Sequence, residues 1–112
     1  MTETNATPDD ALPEFLLVEH FEPFVGKIVR FKGTRYAFPL HSIHRPQGPN
    51  WEKPDWVKRY PFTLIFRGPK ERDVLPEGLY DCEIEGGPTV TIYVAPIMTP
   101  QPDCQDYQAV FN

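Results

Sequence analysis

The residue with the clearest capacity for chemistry is Ser42, which is the only serine of the chain and lies between His41 and His44. Residues two apart on a β-strand share a face, so Ser42 and His44 could contact each other. A nucleophilic serine normally stands on a sharp turn beside backbone donors for an oxyanion, and no G-x-S-x-G pattern surrounds Ser42. The sequence therefore does not predict serine chemistry.

Carboxylates and metal ligands are the other chemical candidates. Glu83 and Glu85 share a strand face, as two carboxylates for acid–base catalysis would, but nothing in the sequence implies a cleft around them. The chain has no C-x-x-C and no H-x-x-x-H spacing. His41 and His44 are three apart, so we expect them to be exposed on opposite faces of a strand. We predict no catalytic residue, no metal site and no cofactor.

The two cysteines, Cys82 and Cys104, could close a disulfide loop of about twenty residues. The first residues, MTETNATPDD, lack the basic and apolar regions of an export signal. A reducing cytoplasm is therefore the expected location, and it favours two free thiols over a bond. No apolar run approaches the roughly 18 residues of a membrane-spanning helix, so no membrane partner is predicted.

Residues 45–59, RPQGPNWEKPDWVKR, place two tryptophans among bases and prolines. A loop of this length inside a compact domain is commonly functional, and Trp and Arg dominate the energetics of protein interfaces. Three interpretations stay open: the indoles cover one end of the core, anchor a protein partner, or stack on single-stranded nucleic acid. The residues predicted to bind a partner are Arg45, Trp51, Lys53, Trp56, Lys58 and Arg59.

The charges are strongly segregated along the chain, whose formal net charge is −5. Residues 27–72 hold all eleven bases and three acids, hence +8, whereas residues 1–26 hold six acids and residues 73–112 hold seven, with no base in either. Basic and acidic strands could neutralise each other in cross-strand pairs. Alternatively, the basic segment could form a face for an acidic partner. The acidic total disfavours nucleic acid, because phosphate binding depends on the cations presented.

The elements that must position these residues are short strands, because apolar and polar residues alternate with a period of two. Leu17, Phe21, Phe24 and Val25 recur at helical spacing and predict one short helix that caps one end of the strands. Pro39 predicts an edge position or a bulge. Fourteen prolines exclude long helices. The predicted strands are residues 27–32, 35–45, 60–67, 79–85, 89–95 and 107–112.

These elements predict an all-β fold with minor helix: a small antiparallel β-barrel or sandwich of about six short strands with one short N-terminal helix. A chain of 112 residues fits one domain. We expect residues 1–13 to be a flexible N-terminal tail and residues 14–112 to be a single β domain.

Four segments in order carry a resemblance: FEPFVG (21–26), PFTLIFRGP (61–69), LPEGLY (75–80) and YQAVFN (107–112). They resemble a small uncharacterised bacterial domain family with the pattern F-x-P-L-V-G, P-F-S-L-x-F-R-G-P, L-P-x-G-x-Y and Y-x-A-V-F-N, over about residues 17–112. Members of that family have no assigned activity and are often encoded near phage-tail-collar-like proteins. The resemblance implies an accessory role in a phage or phage-like tail and transfers no catalytic or binding residue. Within these segments, we expect Gly68 to turn the chain with a positive φ.

The expected function is a non-enzymatic structural or protein-interaction module, in the cytoplasm or in a phage-like particle. It would bind a protein partner or a second copy, through an unpaired sheet edge or through tryptophan anchors. One alternative is a small-ligand-binding β-barrel with a cavity lined by Tyr36, Phe38, Phe62 and Tyr80. The other is nucleic-acid binding through the basic segment 27–72.

Overall fold

Six strands follow the predicted alternation of apolar and polar residues. The computed structural model describes residues 16–47, 51–57 and 59–112, so the predicted tail of residues 1–13 and Lys58 lie outside the described residues. The strands are β1 (Ile28–Phe31), β2 (Ala37–His44), β3 (Phe62–Pro69), β4 (Gly78–Ile84), β5 (Thr89–Ile97) and β6 (Cys104–Phe111).

The strands close into an antiparallel barrel in the order β1-β2-β3-β6-β5-β4, with β4 returning to β1. Two three-stranded meanders, β1–β3 and β4–β6, therefore form the two halves of the barrel. The halves meet at two seams, one between β3 and β6 and one between β4 and β1. The predicted antiparallel barrel is confirmed. Docking through an unpaired sheet edge is not supported for the described strands, because the ring of strands is closed.

One face of each strand supplies the core, as the period of two requires. In β3, residues 62, 64 and 66 are buried, and in β5 residues 90, 92 and 94 are buried. The last strand begins at Cys104, three residues before the predicted start, because β3 pairs with β6 as far as Pro69 opposite Cys104. The largest fully buried side chains are Tyr107, Phe21, Phe31, Phe62, Phe66, Leu40, Leu64 and Leu75.

The predicted short helix is present as two successive 3-10 turns, Val18–His20 and Glu22–Phe24. Between them, Phe21 is 1% exposed, and its ring centroid lies 5.9 Å from that of Phe62 and 5.5 Å from that of Phe111. The predicted cap over one end of the strands is thus formed by Phe21, whereas Val25 is 44% exposed. Among the described residues, the helices amount to these two turns, far short of the length needed to cross a membrane.

A bulge interrupts β2 at His41, two residues after Pro39. Leu40 pairs with Phe66 and Ser42 pairs with Ile65, which leaves His41 as an extra residue. An inserted residue shifts the alternation that follows it. His41 and His44 are consequently both exposed, which corrects the expectation that they face opposite sides. Pro39 itself pairs with Ile28 of β1, so the bulge expected at Pro39 occurs two residues later.

Gly68 lies inside β3 and is buried, and it is not one of the glycines with positive φ, which corrects the turn expected there. The strand continues to Pro69 because β6 pairs with it along its whole length. A Cβ atom on Gly68 would lie 2.4 Å from Cε1 of Phe38. Glycine is needed here because an aromatic ring packs directly on the backbone.

Candidate docking surface

The segment between β2 and β3 places one tryptophan almost entirely in solvent. Trp56 is 82% exposed and Trp51 is 38% exposed. The Trp51 ring packs edge-on against Tyr60, with the ring centroids 5.5 Å apart. Neither indole belongs to the buried core, whose end Phe21 closes. The structure therefore does not support the interpretation that the indoles cover one end of the core.

Hydrogen bonds within the segment hold Trp56 on a turn of defined shape. The Val57 N–H donates to the Pro54 carbonyl at 2.9 Å. The Lys53 ammonium crosses the turn and donates to the Val57 carbonyl at 2.7 Å. Lys53, predicted to bind a partner, thus braces the loop that carries Trp56.

Arg59 fixes the exit of the segment to both ends of the described domain. Its Nη1 donates to the Leu16 carbonyl at 2.7 Å, and its Nε donates to the Asn112 carbonyl at 2.9 Å. The guanidinium also lies over the Phe111 ring, 5.3 Å from its centroid. Partial burial lowers the pKa of Arg59. These contacts give Arg59 a positioning role within the chain.

Arg45 fixes the entrance of the segment through an ion pair with Glu22, which follows Phe21 in the N-terminal turns. Of the six residues predicted to bind a partner, Arg45, Lys53 and Arg59 therefore contact the chain itself, and Lys58 lies outside the described residues. Trp56 is the one that presents most of its side chain to solvent, whereas Trp51 packs against Tyr60. Tyr60 was missed because its position fitted the start of a strand.

A surface groove of about 340 Å³ lies over the seam between β1 and β4. Its lining consists of Ile28, Arg30, Glu83, Ile84 and Glu85. Nε of Arg30 lies 3.8 Å from Oε1 of Glu83, and the Ile28 N–H donates to Glu85 Oε1 at 3.1 Å. The two carboxylates considered for acid–base catalysis are thus both engaged by β1. No sequence pattern marked the groove, because it depends on which strands become neighbours.

The barrel interior is filled by side chains. The internal cavity has a volume of about 10 Å³, and residues such as Leu40, Leu64 and Val90 line it. That volume is about enough for one water molecule. Of the residues expected to line a ligand cavity, Phe38 and Phe62 are buried in the core, and Tyr36 and Tyr80 pack against it. The geometry does not favour the small-ligand barrel.

The cysteines are free thiols, Cys82 inside the barrel and Cys104 half-buried at the start of β6. Burial, with a smaller contribution from the charge of Asp81, raises the pKa of Cys82 to about 12. A thiol with such a pKa stays protonated and unreactive at neutral pH. Within the described part of the chain, no three His, Cys, Asp or Glu side chains gather as metal ligands.

The segregated charges meet at both seams of the barrel. Arg30 pairs with Glu83 across the β1–β4 seam, and Arg67 pairs with Asp106 across the β3–β6 seam. These contacts follow the cross-strand pairing that the sequence allowed, and they neutralise part of the basic segment. They make a one-sided face for nucleic acid less favourable.

Comparison with known proteins adds a family match. The model of a family described as a domain of unknown function, DUF6916, matches residues 16–111. No curated protein and no solved structure matches the chain significantly. The matched range contains the whole barrel, the N-terminal turns and the segment that carries Trp56.

Proposed function

From the premise that this chain belongs to the DUF6916 family of domains of unknown function, we propose that it is a non-enzymatic protein-interaction module that docks through Trp56. The observation that carries the proposal is the 82% exposure of this indole on a braced loop. Exposed aromatic anchors of this kind dominate binding energy at protein interfaces.

The bracing of the loop supports a docking role because it lowers the cost of binding. Ordering a loop on association costs free energy, and a loop that already has its bound shape avoids that cost. The Lys53–Val57 hydrogen bond, the Arg45–Glu22 ion pair and the contacts of Arg59 fix the loop at its centre and at both ends. Trp56 is thus presented on a rigid support with its ring free.

The positions of the chemical candidates also support a non-enzymatic role. Glu83 and Glu85 are engaged by Arg30 and by the Ile28 N–H. His41 and His44 lie exposed on the outer wall of β2. These groups serve the sheet or face solvent, and they do not converge on a common point.

For the setting of this docking, we propose an accessory role in a phage or phage-like tail particle. The support is the resemblance of the segments at residues 21–26, 61–69, 75–80 and 107–112 to a family encoded near phage-tail-collar-like proteins. This setting is tested by sedimenting the particles from a bacterial strain that produces both the phage-like particles and this protein. The protein should pellet with the particles, and its recovery only in the supernatant would contradict this setting.

The docking role is tested by capture with three forms of the immobilised protein: wild type, Trp56→Ala and Met98→Ala. Met98 is a matched control because it is an apolar side chain that is 96% exposed, in the loop between β5 and β6. We expect wild type and Met98→Ala to retain the same proteins from an extract of the source cells, and Trp56→Ala to lose them. Thermal unfolding should give the same midpoint for all three, since Trp56 packs on little. Equal capture by all three forms would contradict the proposal.

A further inference from the structure

His20 accepts a hydrogen bond that only a neutral imidazole can accept. The backbone N–H of Leu17 donates to Nδ1 of His20 at 2.8 Å, in the first of the two N-terminal turns. A neutral imidazole has one nitrogen that accepts, whereas both nitrogens of a charged imidazole carry protons and donate. Gain of a proton therefore removes this bond and leaves the Leu17 N–H without its acceptor.

The first turn is weakly held, so a single hydrogen bond matters to it. It spans Val18–His20 and contains no fully buried residue. Its two backbone bonds run from the His20 N–H to the Leu17 carbonyl at 3.0 Å and from the Phe21 N–H to the Val18 carbonyl at 2.9 Å. Segments with few buried contacts open at little cost in free energy. Phe21 is fully buried directly after this turn, so we expect the barrel to stay folded when the turn loosens.

The first turn is joined to the loop that carries Trp56. The Leu16 carbonyl, just before the turn, accepts a hydrogen bond from Nη1 of Arg59 at 2.7 Å. Arg59 follows Trp56 closely in the chain and fixes the exit of the loop. Loosening of the turn therefore removes one anchor of the guanidinium and leaves its bond to the Asn112 carbonyl.

The charged and titratable groups that the described residues bring to these turns come from three elements. The turns carry Glu19 and Glu22, the end of β2 supplies His44 and Arg45, and the segment before β3 supplies Arg59. Carboxylate and guanidinium groups are ordinarily charged between pH 5 and 8, whereas imidazole groups change charge in that range. The groups that change are therefore the two imidazoles, and it is His20 that is hydrogen-bonded to the turn.

We propose that protonation of His20 loosens the first N-terminal turn and the Arg59 end of the loop that carries Trp56, so that mild acid weakens docking. This inference rests on the proposed docking role of Trp56 and adds its regulation. Ordering a loosened loop on association costs free energy. A partner should therefore be held more tightly at pH 7.5 than at pH 5.5.

Hydrogen exchange of the full chain, followed by NMR at pH 7.5 and pH 5.5, tests the proposal without a partner. The two signals are the backbone N–H of Leu17 and the Nε–H of Arg59, each corrected for its intrinsic exchange rate at that pH. In wild type, the protection of Leu17 should fall at least about 5-fold at pH 5.5, the effect of losing one hydrogen bond. The protection of Arg59 should fall with it, because the guanidinium loses its anchor at Leu16.

Three variants separate His20 from the other titratable groups. His20→Asn keeps an acceptor, since Oδ1 of asparagine and Nδ1 of histidine are both bonded to Cγ, and it cannot be protonated in this range. Both signals should then be equally protected at the two pH values. His20→Ala removes the acceptor and should show low protection already at pH 7.5. His44→Asn is the matched control, because it removes an exposed imidazole at the end of β2, and it should respond to pH as wild type does.

Two outcomes would overturn the proposal. Equal protection of Leu17 in wild type and His20→Ala at pH 7.5 would mean that the imidazole does not hold the turn. A fall at Leu17 without a fall at Arg59 would mean that the turn does not affect the loop. Because neither measurement uses a partner, equal capture by wild type and Trp56→Ala would contradict the docking role alone, and the exchange rates would still decide whether His20 controls the turn.

Discussion

Arg67 and Asp106 face each other across the β3–β6 seam and form a two-pronged ion pair, with Nε to Oδ1 at 2.7 Å and Nη2 to Oδ2 at 2.9 Å. Asp106 is only 6% exposed although its strand position points outward. The backbone N–H of Asp106 donates a hydrogen bond to the hydroxyl oxygen of Thr99 at 2.7 Å. The hydrogen bonds that Arg67 donates to the Asp106 carboxylate raise the pKa of Arg67, so the guanidinium stays charged. One half of the barrel is thus joined to the other through a shielded charge pair.

Asp106→Ala should lower the thermal midpoint by about 8–16 °C. The change removes two charge-assisted hydrogen bonds and leaves the Arg67 guanidinium without its partner. Glu83→Ala is the matched control at the other seam, where the Arg30–Glu83 contact is longer, at 3.8 Å, and both side chains are substantially exposed. Because exposed pairs contribute little, its midpoint should fall by about 4 °C or less. Differential scanning calorimetry measures both, and equal shifts would contradict the distinction between the seams.

The strands of the barrel were predictable because alternation of apolar and polar residues can be seen within each short stretch of sequence. In β3, the buried residues 62, 64 and 66 alternate with Thr63, Ile65 and Arg67, which are only partly buried, and the same period marks β4 and β5. The cap was also predictable, since Phe21 belongs to an apolar set at helical spacing. Trp56 was a candidate for partner binding because bases and prolines surround the tryptophans in residues 45–59.

The remaining features depend on contacts between distant segments. The groove exists because β1 and β4 are neighbours, although they are joined by no short turn. Arg59 looked like a surface base, but its partners are the carbonyls of Leu16 and Asn112, 43 and 53 residues away in the chain. Gly68 was predicted to be a turn residue because nothing in the neighbouring sequence shows that the ring of Phe38 packs on its backbone.

Gly68→Ala should destabilise the protein by about 1–3 kcal/mol, the usual cost of forcing an extra group into a packed core. The added Cβ would lie 2.4 Å from the Phe38 ring, which cannot retreat easily because it stacks on Tyr107 with the ring centroids 4.7 Å apart. Gly78→Ala is the control, since its Cβ would meet Tyr80 at an ordinary 3.6 Å. Urea unfolding measures both variants. A Gly68→Ala protein as stable as wild type would contradict the close packing of Phe38.

Phe21→Ala should destabilise the protein by about 3–5 kcal/mol, because it removes a buried aromatic ring and leaves a cavity at one end of the barrel. The ring packs against both Phe62 and Phe111, which themselves stack with their centroids 4.6 Å apart. Val25→Ala in the same segment is the control, and it should change the free energy of unfolding by about 0.5 kcal/mol, because Val25 is 44% exposed and lies outside the core. A small effect at Phe21 would show that the end of the barrel is closed by other residues.

Cys82 should make the barrel sensitive to alkaline pH. Its pKa is raised by burial from 9 in the unfolded chain to about 12 in the fold. Between these values the unfolded chain releases the thiol proton and the native protein retains it. The free energy of unfolding therefore falls as pH rises, by up to about 1.4 kcal/mol per pH unit, and below pH 9 this thiol adds no pH dependence.

Urea unfolding at pH 8, 9.5 and 10.5 measures this dependence, with Cys82→Ala and Cys104→Ala compared with wild type. Cys82→Ala loses some stability at pH 8 through the smaller side chain, but its stability should fall less steeply above pH 9 because the buried thiol is gone. Cys104→Ala should keep the wild-type slope, because this variant retains the buried Cys82 thiol that produces the slope. Tyr107, whose pKa is also raised by burial, titrates in all three proteins, so its contribution cancels in the comparison. Parallel curves for Cys82→Ala and wild type would mean that water reaches the Cys82 thiol in the native barrel.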